Sequence, residues 1–552
     1  MIRRAALAAV VLGAAQAMAQ QPGLPRAADP GATQQRQIGE ERRRREAERE
    51  RFKPSEPIKR DALEPPAAQP APDAVRFLVR EIQFTASEIL SEAELEAVAA
   101  EFRGRQLTLT DLRQLAERVN ALYKAKGVVT ALAVIPPQDV SEGVVRVRLI
   151  EGRVGRINIE GNATTRDSYI ADRLRVKPAD LVDLSRLEQA LVRFNRTNDV
   201  QLRAELKPGQ EFSTTDLQIG VNEPPRHDLR LTLDDFGSPS TGMWRSGIAY
   251  LNRSVLGFRD DLWLSLTKAG GQDSRAVSYG FPVNTWGGRL NLAHYRDKTA
   301  IEHGLLESLN ITGESTATVL SLRQPTYVGE RVQVDVLAGA KQRSSSNWID
   351  GVFLQTTDTS DRNLGAEVLA SDEKSFGSAN YSHYWGSATV IDRRSLGIDR
   401  GALRYNRELG SGLSFRGSLS WQATSDRNLP SSEQFFLGGE GSVRGYTVGI
   451  FSGDRGYTIN LELHHPLVKL TEDAKELIAT GFFFVDHGSV KPFRPPNSAL
   501  ASQEHLTGVG WGLQATLNKR VYARAAFGYG LTEVPLIPRQ YQLHFQLVAS
   551  VF

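Results

Sequence analysis

The feature that most constrains the fold is a run of alternating apolar and polar residues that continues to the last residue of the chain. From residue 225 to residue 552, apolar side chains recur at every second position over short segments, as at Leu229, Leu231 and Leu233. Such alternation predicts β-strands with one apolar and one polar face. A soluble β-sandwich would not normally extend this far. The run therefore predicts a transmembrane β-barrel, with apolar side chains toward lipid and polar ones toward a lumen.

The length of the run sets the number of strands. Allowing roughly 20 residues for each strand and its share of turns, residues 224–552 accommodate about 16 antiparallel strands. We expect the barrel to be closed, because lipid cannot satisfy the backbone groups of an open sheet edge. No apolar stretch approaches the roughly 20 residues that a membrane helix requires. Strands rather than helices are thus expected to cross the membrane.

The first residues carry the features of an export signal. Two arginines precede an apolar run at residues 5–15, and Ala17-Met18-Ala19 matches the small-x-small pattern of a secretory cleavage site. Residues 1–19 are therefore predicted to be a signal peptide, and the remaining chain is predicted to be exported.

Composition and missing motifs exclude several kinds of protein. The chain contains no cysteine, which excludes disulfides, thiol catalysis and cysteine-ligated metals. A formal net charge of +3 on 552 residues argues against nucleic acid as a partner. There is no phosphate-binding loop, no H-E-x-x-H motif and no nucleophile elbow, and the pair His464-His465 is interpreted as strand surface rather than as metal ligands. We therefore expect neither an enzyme nor a cofactor.

The region after the signal peptide, residues 20–53, contains an unusually polar helix. Residues 34–53 are dense in Glu, Arg and Gln, with opposite charges at helical spacing, as in Glu41 with Arg44. This helix has almost no apolar face, so it is expected either in solvent or in a polar cavity. Residues 54–74 contain six prolines and are predicted to form an extended linker.

Residues 75–223 contain the same order of elements twice. The first unit, residues 75–150, and the second, residues 151–223, each predict a βααββ domain of about 75 residues. In the first unit, Thr110 is predicted to cap the second helix and Gly127 to end it. The domains are either rigid spacers or sheets whose open edges accept an extended peptide through backbone hydrogen bonds. The predicted strands are 79–84, 128–135, 144–150, 154–160, 200–206 and 215–221, and the predicted helices are 91–102, 110–126, 165–174 and 185–195.

Two motifs in the barrel region point to an ion pair in its lumen. The first lies in a glycine-rich connection around residues 430–455 and consists of Val443, Arg444, Gly445 and Tyr446. The second lies on a later strand and consists of Phe482, Phe484, Asp486 and Gly488. Because Phe482, Phe484 and Asp486 share parity, they are expected on one face of that strand. A barrel holds such charges in its lumen, so Arg444 is expected to pair with Asp486 and to stack on Phe482 or Phe484.

The motifs and their order resemble a known family, the outer-membrane transporters of two-partner secretion that export haemolysins and filamentous haemagglutinins. The resemblance covers the chain from Gln34 onward and includes Asn198-Asp199-Val200 and Lys207-Pro208-Gly209 of the second repeat. It implies that the repeats are periplasmic polypeptide-transport-associated (POTRA) domains and that the barrel has sixteen strands. It further implies that the N-terminal helix is a plug and that the loop with Arg444 folds inward, so that both obstruct the resting pore.

The resemblance also implies a function and a set of partners. The protein would export a large unfolded partner, β-helical once folded, to the surface without nucleotide. Lipid and the barrel-assembly machinery would be its other partners. An outer-membrane factor that inserts other barrels shares the loop motif, but such factors usually carry three or more POTRA domains and lack the polar helix. A porin would not need the two repeats, and a surface enzyme or adhesin would need a catalytic constellation or a large outer domain.

Overall fold

The computed structural model describes residues 29–35, 58–59, 76–128, 130–211, 213–304, 306–472, 475–494, 501–534 and 541–552. The chain divides into two compact units: Met1–Pro54 with Pro225–Phe552, and Ser55–Pro224. The predicted signal peptide, most of the polar helix and most of the linker lie outside the described residues. Among the residues that are described, no helix is both long and apolar enough to cross a membrane.

The smaller unit contains two small α/β domains. Its strands are β1 (Ile58–Lys59), β2 (Phe77–Leu78), β3 (Glu81–Phe84), β4 (Gln106–Leu107), β5 (Leu132–Val134), β6 (Val144–Ile150), β7 (Arg153–Glu160), β8 (Gln201–Pro208) and β9 (Thr214–Asn222). Its helices are α1 (Glu92–Phe102), α2 (Leu109–Ala125), α3 (Asp167–Leu174) and α4 (Leu184–Thr197). One domain has a sheet in the order β3-β6-β5, and the other in the order β1-β8-β9-β7. Each domain has its own buried apolar core, as the repeated pattern predicts.

The helix caps of the first domain differ in one place from the prediction. Thr108, not Thr110, caps α2, because its side chain accepts from the Asp111 amide while the Asp111 carboxylate accepts from the Thr108 amide. Ser91 and Glu94 form the same reciprocal cap on α1. Lys126 and the hydrogen bonds from Ser91 lower the pKa of Glu94 to about 2, so this cap stays ionised at neutral pH.

Two other differences concern the edges of the small sheets. The strand predicted at 128–135 is only three residues long, Leu132–Val134, which are the residues that pair with β6. Within the predicted linker, Ile58 and Lys59 form β1, which pairs in parallel with Ala204 and Glu205 of β8. One edge of the second sheet is therefore already partly covered by the chain itself.

The larger unit contains a closed barrel of sixteen antiparallel strands, in which β10 pairs with β27. Its first eight strands are β10 (His227–Asp234), β11 (Arg245–Asn252), β12 (Asp261–Ala269), β13 (Gln272–Pro282), β14 (Arg289–Ala300), β15 (Ile311–Val328), β16 (Val332–Ile349) and β17 (Val352–Ser371). The other eight are β18 (Ser375–Thr389), β19 (Arg393–Gly410), β20 (Leu413–Thr424), β23 (Arg455–Glu472), β24 (Lys475–Lys491), β25 (Glu504–Leu517), β26 (Val521–Gly530) and β27 (Tyr541–Ser550). The short strands β21 (Phe435–Leu437) and β22 (Phe451–Gly453) pair with each other between β20 and β23. The predicted fold class, about sixteen strands after two βααββ domains, is confirmed.

Alternation along β24 shows which face of the wall points inward. Phe483 is 71% exposed and Val485 is 49% exposed, so these side chains face outward. Phe482, Phe484 and Asp486 are at most 3% exposed, so they face the lumen. The parity argued from the sequence therefore places the predicted strand motif on the inner face.

Candidate functional site in the barrel lumen

The connection between β20 and β23, residues 425–454, folds into the lumen; we call it the inward loop. Val443 and Tyr446 are buried and pack with Leu437 of the same loop. They also contact Val490 of β24 and Leu506 of β25. The Tyr446 hydroxyl lies 3.0 Å from the carbonyl oxygens of Thr507 and Thr532. Hydrogen bonds as well as apolar packing therefore hold this side chain against the barrel wall. The loop is thus seated on the strands that follow it in the chain.

Arg444, at the centre of the loop motif, binds both carboxylate oxygens of Asp486 through two nitrogens of its guanidinium. Arg444 Nε lies 2.7 Å from Asp486 Oδ2, and Nη2 lies 2.7 Å from Oδ1. The backbone amide of Arg444 also donates to Oδ2, at 3.0 Å. Both side chains are almost fully buried, at 2% and 0% exposure. The predicted pairing is therefore present, in the two-pronged geometry that only arginine provides.

The two aromatic rings of the strand motif stack against the guanidinium groups of two different arginines. The Arg444 guanidinium carbon lies 3.6 Å from the centre of the Phe484 ring. The guanidinium carbon of Arg524, on β26, lies 4.3 Å from the centre of the Phe482 ring. Of the two stacking partners that the sequence left open for Arg444, the structure selects Phe484. The Phe482 ring instead stacks against Arg524, a residue that the sequence pattern does not predict for this site.

The ion pair belongs to a larger network. Arg444 Nη1 also pairs with Glu462 of β23, which in turn lies 2.7 Å from Arg524 Nη2 and 2.7 Å from His464 Nε2. Asn460, on the same strand as Glu462, donates to Asp486 Oδ1 at 2.8 Å. The interpretation of His464 as strand surface is wrong, because its side chain is 1% exposed and faces the lumen. Charge is thus shared among several lumenal residues rather than held by one pair.

Glycines on the wall make room for the loop motif. On β25, a Cβ atom at Gly508 would lie 2.0 Å from the Arg444 carbonyl oxygen, and one at Gly512 would lie 2.3 Å from the Phe482 ring. Gly445 has φ +93, and its own Cβ would lie 2.7 Å from the Gly530 amide. Gly488 admits Leu437 of the inward loop in the same way, at 2.7 Å. Close approach of neighbouring backbone at Gly445 and Gly508, and of neighbouring side chains at Gly488 and Gly512, therefore explains why glycine occupies these positions.

The described part of the predicted plug region, residues 29–35, also lies in the lumen; we call it the N-terminal segment. It is helical from residue 30, earlier than predicted, because the Asp29 side chain accepts from the Ala32 amide at the helix start. Gln34 is fully buried and donates to Asp297 Oδ2 at 3.0 Å. Its Oε1 accepts from Arg343 Nε at 2.9 Å and from Ser315 Oγ at 3.1 Å. Polar wall residues thus bind the start of the helix, while the predicted residues 36–53 lie outside the described residues.

The described residues of this lumenal site do not form a metal centre. Within the described ranges, no three His, Asp or Glu side chains are placed to hold a metal ion. What the geometry offers is a polar passage crossed by two segments that are attached to its wall by ion pairs and hydrogen bonds.

Comparison with known proteins identifies the family. The sequence profile of the haemolysin secretion/activation proteins ShlB/FhaC/HecB matches residues 213–515, more than half of the chain. The chain belongs to this family. The ShlB-type POTRA profile matches residues 77–152, and the POTRA profile described as a surface antigen variable number repeat matches residues 152–223.

Relatives agree with the family assignment. The outer membrane transporter CdiB of Dickeya dadantii is 27% identical over 406 residues, which is 69% of this chain and 71% of CdiB. The heme/hemopexin transporter protein HuxB of Haemophilus influenzae is 22% identical over 498 residues, 84% of this chain and 85% of HuxB. The solved structure of CdiB from Escherichia coli has a TM-score of 0.66 at 19% identity and covers 94% of this chain and 97% of its own, which shows the same fold.

The resemblance identified from the sequence is confirmed. This ShlB/FhaC/HecB family member is an outer-membrane transporter for two-partner secretion, which exports a partner protein, and its POTRA domains are periplasmic. Family members are transporters rather than enzymes. The gating roles expected for Val443, Arg444, Gly445 and Tyr446, and for the partner strand with Phe482, Phe484, Asp486 and Gly488, stay predictions.

Proposed function

We propose that the transporter exports one large unfolded protein through its barrel lumen, without nucleotide and without enzymatic chemistry, and that the inward loop and the N-terminal segment obstruct the resting pore. The observation that carries this proposal is the Arg444–Asp486 pair, which joins the tip of the inward loop to the inner wall. The predicted plug region, residues 20–53, would complete the obstruction.

The polar contacts of the inward loop can be exchanged for others, as a loop that moves during export requires. Besides the apolar packing of Val443 and Tyr446, the loop motif is held by ion pairs and hydrogen bonds, which water or a polar chain can replace one at a time. An unfolded client presents its own backbone donors and acceptors to the same lumenal groups. Export would be driven outside the cell, where the client buries its apolar surface on folding and cannot return. Lipid surrounds the barrel, and the barrel-assembly machinery would insert it.

Entry of the client would use the edges of the POTRA sheets. In the second domain, β7 is an edge strand of the sheet as described, although residues 179–182 hydrogen-bond to its start, at Gly152 and Val154. The opposite edge, at β8, carries the two residues of β1. In the first domain, β3 and β5 form the two edges. Adding a strand at such an edge uses backbone hydrogen bonds, so it requires no fixed client sequence. The boundaries 75–150 and 151–223 are our proposed limits for these receiving domains.

Proline scanning of the edge strands tests this entry route. Single proline substitutions along β3, β5, β7 and β8, at positions whose amide has no hydrogen-bond partner within the domain, are expected to abolish strand addition on the edge that receives the client and to lower secretion with little loss of folding. Alternate positions on the same strands, whose amides bond within the sheet, are the matched controls and are expected to unfold the domain instead. Secretion of the partner would be measured beside circular dichroism of the isolated periplasmic region. Edge pairing is refuted if folded proline variants of all edge strands in both domains secrete normally.

A further inference from the structure

Glu433, near the start of the inward loop, lies among three cations. It ends a short 3-10 turn, Ser431–Glu433, and is almost fully buried. Its Oε1 lies 2.8 Å from Lys341 Nζ and 3.0 Å from Arg343 Nη1, while its Oε2 lies 2.9 Å from Arg400 Nη2. A buried carboxylate with this many partners is held firmly, because its removal would take an ion-pair partner from Arg343 and Arg400, whereas Lys341 would keep Asp361 at 2.9 Å.

The backbone of the same turn is held by the same wall. Gln422 Nε2 donates to the Glu433 carbonyl at 2.8 Å, and Arg343 Nη1 donates to the Ser432 carbonyl at 3.1 Å. Arg400 Nε in turn donates to Gln422 Oε1 at 2.9 Å. Three wall strands, β16, β19 and β20, therefore hold one turn of the loop through both its side chain and its backbone.

This cluster is separate from the Arg444–Asp486 site. Lys341 and Arg343 lie on β16, the seventh strand of the barrel, whereas Asp486 lies on β24, the thirteenth. The inward loop is thus attached near its start as well as at its tip, and two of the cations near its start come from β16, six strands away from β24.

Arg343 also binds the N-terminal segment. Its Nε donates to Gln34 Oε1 at 2.9 Å, and its Nη2 donates to Gln35 Oε1 at 2.8 Å, while its Nη1 is used for Glu433 and Ser432. The side chain is fully buried. Since a guanidinium has donors on all three nitrogens in a fixed plane, one arginine satisfies both segments at once.

We propose that Arg343 and Glu433 form a second anchor of the inward loop, and that Arg343 couples release of the N-terminal segment to release of the loop. When the segment leaves, two nitrogens of Arg343 lose their acceptors. The buried guanidinium then turns toward other acceptors, which weakens its hold on Glu433. The loop is therefore released more easily after the segment has gone. This coupling rests on the proposed function, in which both elements obstruct the resting pore.

The absence of cysteine in the chain allows a direct test of loop release. Ser452 is a buried residue of the inward loop, at 1% exposure, so Ser452→Cys places a thiol that a maleimide reaches only when the loop moves. The labelling rate is measured on purified full-length protein without any client. The variants are Glu433→Gln, Gln34→Ala, Arg343→Lys, and Gln34→Ala combined with Arg343→Lys. The lysine variant keeps the charge beside Glu433 but cannot also reach Gln34 and Gln35.

Glu433→Gln is expected to speed labelling about tenfold, and Gln34→Ala to speed it by a smaller factor. In the Arg343→Lys background, labelling is already faster, and Gln34→Ala is expected to add nothing further. An unchanged rate in Glu433→Gln would overturn the anchor. Independent, multiplying effects of Gln34→Ala and Arg343→Lys would overturn the coupling.

Two controls keep the result interpretable. Arg245→Lys makes the same change in a lumenal ion pair with Asp234, which joins two wall strands, and is expected to leave labelling unchanged. Each variant is also checked for a folded barrel by its migration in unheated detergent gels. Because no client is present, these rates remain informative even if export through the lumen is disproved. Coupling without lumenal export and lumenal export without coupling are thus separate outcomes.

Discussion

Arg444→Ala and Asp486→Ala are each expected to reduce secretion strongly while the barrel still assembles. Each variant leaves a charge in a buried site without its main partner, which can cost about 3–5 kcal/mol and less where water enters. The loop tip would then leave the wall. Secretion is measured as partner protein in the medium relative to the amount of folded barrel.

The secretion defect of the double variant, compared with those of the single variants, tests whether Arg444 and Asp486 act together. Arg444 retains Glu462 when Asp486 is removed, and Asp486 retains Asn460 when Arg444 is removed. Because both substitutions break the same interaction, we expect non-additivity, with the double variant little worse than either single variant. Arg444→Lys should rescue only in part, because an ammonium loses the planar fork on Asp486 and the stacking on Phe484. Additive defects, or normal secretion in either alanine variant, would show that this pair does not hold the loop for export.

Deleting residues 20–53 is expected to give the second large effect, a clear rise in single-channel conductance in planar bilayers. The described start of this region occupies lumenal space and binds Asp297, Ser315 and Arg343 through Gln34. The double substitution Gln34→Ala with Gln35→Ala keeps the segment but weakens its attachment. A channel of this variant should therefore switch between the conductance of the intact chain and that of the deletion variant. If the deletion leaves conductance at the level of the intact chain, the region does not block the pore.

Part of this site could be predicted because its signals are local. Arg444 stands in a long glycine-rich connection, and Phe482, Phe484 and Asp486 share parity on one strand, which is enough to place all of them in the lumen. Glu462 and Arg524 could not be predicted as their partners. Alternation shows that a polar residue faces inward, but which lumenal residues meet depends on the stagger of the strands around the barrel. The same holds for Glu433, whose cations come from strands distant in sequence.

Two other differences, at helix starts, have a signal in the local sequence. Thr108 with Asp111 is a capping box, which outranks an isolated threonine such as Thr110. Asp29 before Pro30 is a helix start, since aspartate caps and proline favours the first helical position. The pairing of Ile58 and Lys59 with β8 has no sequence signature, because a parallel pair of two residues depends only on where the linker passes.

Site-specific cross-linking during export tests the central claim most directly, namely that the client passes through the lumen. Ser265 and Leu264 are neighbours on β12, with Ser265 on the inner face and Leu264 outward and 41% exposed. A p-benzoylphenylalanine at position 265 should, on illumination of secreting cells, cross-link to one large secreted protein identified by mass spectrometry. The same group at position 264 should not. A secreted protein captured at position 264 but not at 265, or capture of other barrel proteins alone, would contradict export through this lumen.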